Sequence, residues 1–317
     1  MANSSFSQAN QTSLFAADSN PSFNHALWIK RLVFLMAGMT LFLMGLGSAT
    51  RVMNAGLSCP DWPLCYGELV PRQQMNLQVF LEWFHRVIAS SMGLFAIALT
   101  GLAWVWRKFL PAWTPAAACF CLVLVILQGI LGGLTVTELL RFDIVTAHLG
   151  TGLLFFSALL AIGMMLTPYQ GTGVAGRLPW LSLIAAGLIY GQSLLGGLVS
   201  SQWALHQCLS DSRLCAVMHS HLAGVVPASL SILLLFYLSW RQPALHPLLR
   251  GLNWSALSLL GLQISLGVTT FKLHLQLAWV TVAHQAVGAA LLGTLVAFSV
   301  IALRDRQQTH QPLMPNA

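Results

Sequence analysis

Four histidines stand inside apolar segments of this sequence at a repeated spacing. They are His85 in EWFHRVIA, His148 in VTAHLGTG, His221 in MHSHLAGV and His284 in VAHQAVGA. The interval from His85 to His148 equals the interval from His221 to His284, so the second pair repeats the first at one constant offset. Two neutral imidazoles that face each other across a helical bundle can bind one haem iron from both sides. The pattern predicts two such haem sites, with a proton relay as the alternative.

The sequence around these histidines indicates an internal duplication. LQGILGGLTV before His148 resembles LQISLGVTT before His284, and Gln128 and Gln263 in these segments follow the same offset to within one position. GQSLLGGLVS is a looser third copy. His219 lies two residues before His221 and would point in a different direction on a helix. Only His221 keeps both spacings, so we expect His221 to be the ligand.

One half of the duplication carries an acid that the other lacks. Glu82 precedes His85 by three residues, on the same helix face, and the matching position before His221 is Met218. A carboxylate near a haem edge could relay protons or stabilise developing positive charge. The structural alternative is an ion pair with Arg86 that neutralises two charges in lipid. The asymmetry favours a catalytic role for Glu82.

The composition places these residues in a membrane. Of 317 residues, 56% are hydrophobic and 7% are charged, and the mean hydropathy is +0.73. A soluble domain averages about 25% charged residues, so that class is excluded. The net charge of +7 comes from scattered single residues and not from a basic cluster, which argues against nucleic acid as a partner. We therefore expect an all-α integral membrane protein.

Eight apolar runs are long enough to cross the bilayer. The predicted spans are about 32–50, 77–105, 115–136, 143–166, 179–200, 216–240, 251–271 and 276–302. The duplication groups them into two four-helix bundles, an N-terminal half over 29–170 and a C-terminal half over 171–303.

The segments outside the spans predict the orientation. Residues 1–28 and 304–317 are expected to be cytoplasmic tails, the first of them disordered, and no secretory signal is recognisable at the start of the sequence. With both termini inside, nine basic residues lie on the cytoplasmic side and five outside, which agrees with the positive-inside rule. The expected location is the cell membrane.

Four of the six cysteines fall in the two longest outer loops. Cys59 and Cys65 lie in GLSCPDWPLCYG, and Cys208 and Cys215 lie in HQCLSDSRLC. Close pairs on an oxidising side predict two disulfides. Zinc is disfavoured because neither loop carries a second ligand pair at zinc spacing. Free or redox-active thiols are the alternative.

These segments together resemble the haem A synthase family, which acts in cytochrome oxidase assembly. The resemblance rests on GSATRVMNAGLSCPDWPLCYG, EWFHRVIA, GGLTV with TAHLG, and VAHQAVG, and it covers nearly the whole chain between the tails. It implies a catalytic N-terminal bundle with Glu82 and the substrate-haem ligands His85 and His148. It also implies a C-terminal bundle in which His221 and His284 bind haem b. The sixth span departs from the family pattern, reading HSHLAG where many members have His-Arg.

The implied reaction oxidises the C8 methyl of haem O to a formyl group by two successive hydroxylations, with loss of water from the gem-diol. The resemblance further implies an electron-transfer partner that the sequence does not identify, and it is compatible with contact to a haem O synthase and with an oligomer. Two other functions stay open. A two-haem electron carrier of the cytochrome b type explains the histidines but not Glu82, and a haem transporter or chaperone would bind haem loosely.

Overall fold

The structure is a computed structural model that describes residues 21–200, 213–273 and 276–308, and over these ranges it consists of eight helices. In chain order they are α1 (Pro21–Val52), α2 (Leu77–Val105), α3 (Thr114–Thr137), α4 (Phe142–Met165), α5 (Leu178–Val199), α6 (Arg213–Trp240), α7 (Pro247–Lys272) and α8 (Ala278–Gln308). All eight are long and apolar enough to cross a membrane. The expected all-α membrane fold is confirmed.

The helix boundaries follow from local sequence. Asn76 caps α2, because its side chain accepts a hydrogen bond from the Val79 N–H at 3.0 Å. Proline stands in the first turn of α3, α5 and α7, where its missing N–H needs no partner. The predicted limits of the internal spans agree with the helices to within a few residues.

The packing order places the even-numbered helices diagonally within each half. In the N-terminal half, α1 and α3 each pack against both α2 and α4. In the C-terminal half, α5 and α7 each pack against both α6 and α8. Over the described ranges, the backbones of α2 and α4 do not approach each other, and neither do those of α6 and α8. Both halves therefore have a ring-like order of packing, although the duplication itself stays a prediction.

The two halves meet through α1, α4, α5 and α8, and small residues bring these helices together. A Cβ built on Gly163 of α4 would lie 2.9 Å from the ring of Phe34 on α1. One built on Gly293 of α8 would lie 2.7 Å from Phe156 on α4. Side chains at these glycines would force the helices apart.

The terminal helices extend into both predicted tails. Residues 21–28 are helical, and α8 continues past residue 304 to Gln308. The two polar residues Arg304 and Asp305 stabilise this extension by binding the connection between α4 and α5. Arg304 donates to the carbonyls of Met164 and Thr167, at 2.6 and 2.8 Å. Side-chain contacts with a distant connection were not recognisable from charge and hydropathy alone.

Asp305 is fully buried and collects donors from the same connection. It accepts hydrogen bonds from the Tyr169 hydroxyl at 2.8 Å and from the N–H groups of Thr172 and Ala175 at 2.7 and 3.0 Å. Burial, together with the Asp305 carboxylate, raises the pKa of Tyr169. This cluster ties the linker between the two halves to the last helix.

We predict that Asp305→Ala destabilises the protein by about 2–3 kcal/mol, because three donors, of which the Ala175 N–H is buried, lose their acceptor. Asp305→Asn keeps one acceptor oxygen and should cost less, and Tyr169→Phe, which removes a single donor, should cost least. Thermal unfolding in detergent measures the order. Equal stability of Asp305→Ala and Tyr169→Phe would contradict this account of the linker.

Candidate functional site

The four histidines lie at the same depth in the fold. His85, His148, His221 and His284 are each six to eight residues after the first residue of an even-numbered helix. Each even-numbered helix starts at the end where the preceding odd-numbered helix stops. All four histidines therefore lie near the end that carries the Cys59–Cys65 loop, which we call the disulfide end.

Each imidazole packs against a glycine of the preceding helix. A Cβ built on Gly47, Gly132, Gly196 or Gly267 would lie 3.1, 3.5, 3.1 or 2.9 Å from Cε1 of His85, His148, His221 or His284, respectively. The rings thus touch neighbouring backbone directly. A larger residue at these four positions would push the ring from its place.

One ring nitrogen of each histidine is enclosed by the packing. Nδ1 of all four histidines is buried and has no hydrogen-bond partner among the residues that the structure describes. Nε2 of His284 lies 3.4 Å from the Gln263 amide nitrogen. A neutral imidazole is a common metal ligand.

The repeat spacing pairs His85 with His148 and His221 with His284, and these pairs stay a prediction. Each pair comes from diagonal helices of one half. Within the described ranges, no group of three or more histidines, cysteines or acids could bind a metal ion alone. Paired imidazoles fit a haem iron, whose porphyrin supplies the other four ligands.

His219 and Met218 distinguish the sixth helix from the second. The His219 side chain is exposed, whereas His221 packs on Gly196. The geometry thus favours His221, as the repeat spacing does. Met218 stands where the second helix has Glu82, so the two halves differ at this position.

Glu82 is buried and both of its carboxylate oxygens have partners. Arg86 donates to Oε1 at 2.6 Å, and the backbone N–H of Cys59 donates to Oε2 at 2.8 Å. The ion pair that sequence reasoning weighed against catalysis is therefore present. The Glu82 carboxylate also binds the loop that contains the disulfide, through the Cys59 N–H.

Arg86 extends the contact with this loop. Its guanidinium donates to the main-chain carbonyls of Cys59, Asp61 and Leu64, at 3.2, 2.5 and 2.6 Å. A planar group with five donors suits such convergent acceptors. Sequence analysis paired Arg86 with Glu82 but missed these carbonyls, because no sequence signal identifies a backbone acceptor.

The disulfide loop reaches from the second helix to the third. Cys59 and Cys65 form the expected disulfide and are both buried. The ring of Trp62 packs on Gly133, next to the glycine that contacts His148, and a Cβ there would lie 3.3 Å from it. The loop therefore covers the disulfide end of the N-terminal half between the helix of His85 and the glycine partner of His148.

Asp61 shapes the turn inside this loop. Its carboxylate accepts hydrogen bonds from the N–H groups of Tyr66 and Gly67, at 2.6 and 2.8 Å. The Gly67 bond is the main reason that the pKa of Asp61 lies below its usual range, with Tyr66 and the charge of Arg86 acting in the same direction. Asp61 therefore stabilises the turn at neutral pH, and this contribution is lost as the pH falls below the carboxylate's usual pKa and through its lowered one.

The remaining cysteines divide into two groups. Cys119 and Cys121 are free thiols on α3, where Cys119 is half-buried and Cys121 is buried. Cys208 and the side chain of Cys215 lie outside the described residues. The Cys208–Cys215 disulfide therefore stays a prediction.

Comparison with known sequences decides the family. Residues 30–296 match the COX15-CtaA family of cytochrome oxidase assembly proteins. This chain belongs to that family. A heme A synthase of Shewanella oneidensis is 30% identical to it, over 85% of this chain and 94% of the relative. The heme A synthases of Caulobacter vibrioides and Erythrobacter litoralis are 27% and 24% identical, over 86% and 83% of this chain and 94% of each relative.

We predict that Arg86→Lys exposes the Cys59–Cys65 disulfide of this cytochrome oxidase assembly protein to mild reductant. One ammonium group cannot reach Glu82 and three carbonyls at once, so the loop should open and reduction should be several-fold faster. Alkylation followed by mass spectrometry measures the rate. Arg72→Lys, on an exposed residue of the same loop, is the control. Equal reduction rates in both variants would show that Arg86 does not secure the loop.

Proposed function

We propose that this protein is a haem A synthase, which oxidises the C8 methyl of haem O to the formyl group of haem A. The observation that carries the proposal is the buried Glu82, one helical turn from His85 and absent from the other half. Two histidine pairs alone would equally suit an electron carrier. Family membership and the names of the relatives support the same reaction.

In the proposed N-terminal site, His85 and His148 would bind the iron of haem O. The two side chains come from diagonal helices, and each ring packs on a glycine of the preceding helix. The disulfide loop closes the site at one end through Trp62 and Arg86. Closure limits the access of water to the reacting methyl group and fixes the porphyrin edge relative to Glu82.

Glu82 would stabilise positive charge that develops on the substrate edge. A carboxylate is expensive to bury in a bundle, and here Arg86 and the Cys59 N–H compensate for that cost. A loop displacement that releases the Cys59 N–H would free Oε2 to accept a proton from the substrate.

In the proposed C-terminal site, His221 and His284 bind haem b, which supplies or removes single electrons when bound. Met218, in place of an acid, leaves this half without a group for proton transfer at the equivalent position. An electron-transfer partner would exchange electrons with this half. A haem O synthase that delivers the substrate is a further proposed partner.

The proposed setting is the cell membrane, with two duplicated four-helix bundles and both termini in the cytoplasm. The packing order of the two halves supports the duplication. The Cys59–Cys65 disulfide supports an outer location for its loop, since disulfides persist on the oxidising side. The Cys208–Cys215 pair is proposed on the same side.

Glu82→Gln tests the catalytic assignment. The amide is nearly isosteric but carries no charge and relays no proton near pH 7, so haem A formed per mole of haem b-loaded protein should fall by about 100-fold. The haem b spectrum should stay intact. His221→Ala and His284→Ala should instead weaken that spectrum or turn it high-spin, because each removes one axial ligand.

The ion pair alone predicts a different outcome. If Glu82 only neutralises Arg86, Glu82→Gln lowers the yield of folded protein while the surviving molecules keep their activity. Turnover near that of the parent, measured per haem b-loaded molecule, would disprove the catalytic role. His85→Ala and His148→Ala should resemble Glu82→Gln in product and also retain less substrate haem.

A further inference from the structure

The glutamine motif that recurs in the sequence has no part in the proposed chemistry. Glutamine stands four residues before glycine in three odd-numbered helices, at Gln128 with Gly132, Gln192 with Gly196, and Gln263 with Gly267. The glycines are those that contact His148, His221 and His284. The glutamines lie one turn further along the same helix face.

Each glutamine packs into a second glycine on the helix that carries the histidine. A Cβ built on Gly152, four residues after His148, would lie 3.4 Å from Nε2 of Gln128. A Cβ on Gly288, four residues after His284, would lie 3.0 Å from Nε2 of Gln263. Gly224, three residues after His221, is in still closer contact with Gln192. We call this arrangement the glutamine contact.

The amides make polar interactions at these contacts. Gln128 donates from Nε2 to the main-chain carbonyl of His148 at 2.8 Å, and Nε2 of Gln263 lies 3.4 Å from Nε2 of His284. The Oε1 atoms of Gln192 and Gln263 are buried without a partner in the part of the chain that the structure describes. An amide oxygen that is buried without a partner costs free energy of folding. A role in positioning the neighbouring histidine would explain why glutamine is present at this cost.

The first histidine lacks the glutamine contact. Leu43 stands four residues before Gly47, and Ala89 stands four residues after His85. His85 still packs on Gly47, so its ring has the same space as the others. The site of His85 lacks an amide that would join α1 to α2 one turn away from the ring.

We propose that Gln128, Gln192 and Gln263 are positioning residues that hold three of the four imidazoles, and that His85 is the ligand that gives way when haem enters or leaves. This inference rests on the proposed function. A substrate haem must exchange once per reaction, whereas haem b stays bound. Both histidines of the C-terminal half, which would keep its haem, have a glutamine contact. In the N-terminal half, which would exchange its haem, only His148 has one.

Loss of haem from the C-terminal half tests the glutamine contact. Gln263→Leu reproduces the residue type of the first site and removes the amide that packs on Gly288, so haem b should pass to excess apomyoglobin about tenfold faster. Gln285→Leu, which removes an amide next to His284 but outside the contact, is the control. Equal release from both variants would overturn the positioning role.

Installing the contact at His85 tests the exchangeable ligand. The double variant Leu43→Gln with Ala89→Gly should slow the transfer of haem O or haem A to apomyoglobin about tenfold and leave haem b release unchanged. Unchanged transfer of the substrate haem would refute the assignment of His85. If the double variant does not fold, Gln128→Leu tests the proposal instead: it removes the glutamine contact of His148, so unchanged release of the substrate haem would refute the proposal.

These experiments separate the two proposals. A parent protein that contains haem b but never haem O or haem A would refute the proposed function. The comparison of Gln263→Leu with Gln285→Leu would still decide whether the glutamine contact holds its histidine.

Discussion

Four imidazole rings lie inside the membrane-spanning bundle of this protein. Each packs against the backbone of the preceding helix at a glycine, because a side chain there would occupy the space of the ring. Gly47, Gly132, Gly196 and Gly267 each let an imidazole pack directly on the preceding helix. The rings then lie at one depth, with Nδ1 of each enclosed. The diagonal order of the helices, the pairing of the histidines and the proposed haem sites all depend on these close contacts.

The difference between the halves arises from one buried ion pair. Glu82 and Arg86 compensate each other, and their remaining oxygen and donors bind the disulfide loop across the N-terminal half. Glu82 thus supplies a charge beside the proposed substrate. Its contacts and those of Arg86 also hold the disulfide loop over the proposed site. In the other half, Met218 removes the acid, which suits a site that only exchanges electrons. A catalytic and a structural role for Glu82 are therefore compatible, and only the amide substitution separates them.

The sequence predicted the eight helices well because hydropathy determines which segments can lie in lipid. The histidine spacing favours His221 over its neighbour His219, and so do the packing of His221 on Gly196 and the exposure of His219, but the ligand itself stays a prediction. The burial of Asp305 was not predictable, because its partners include backbone N–H groups of a distant loop. The loop carbonyls bound by Arg86 were missed for the same reason. Hydropathy reports where a residue lies, but it carries no information about main-chain partners.

In the proposed function, the N-terminal half converts its haem and releases it, whereas the C-terminal half retains haem b. Extraction of the pigments from purified protein, produced in cells that make haem O, distinguishes this function from that of an electron carrier. We expect haem b together with haem O or haem A in the same preparation, with less haem b in His284→Ala and less substrate haem in His148→Ala. Haem b alone in both halves would contradict the account and identify the protein as a two-haem electron carrier.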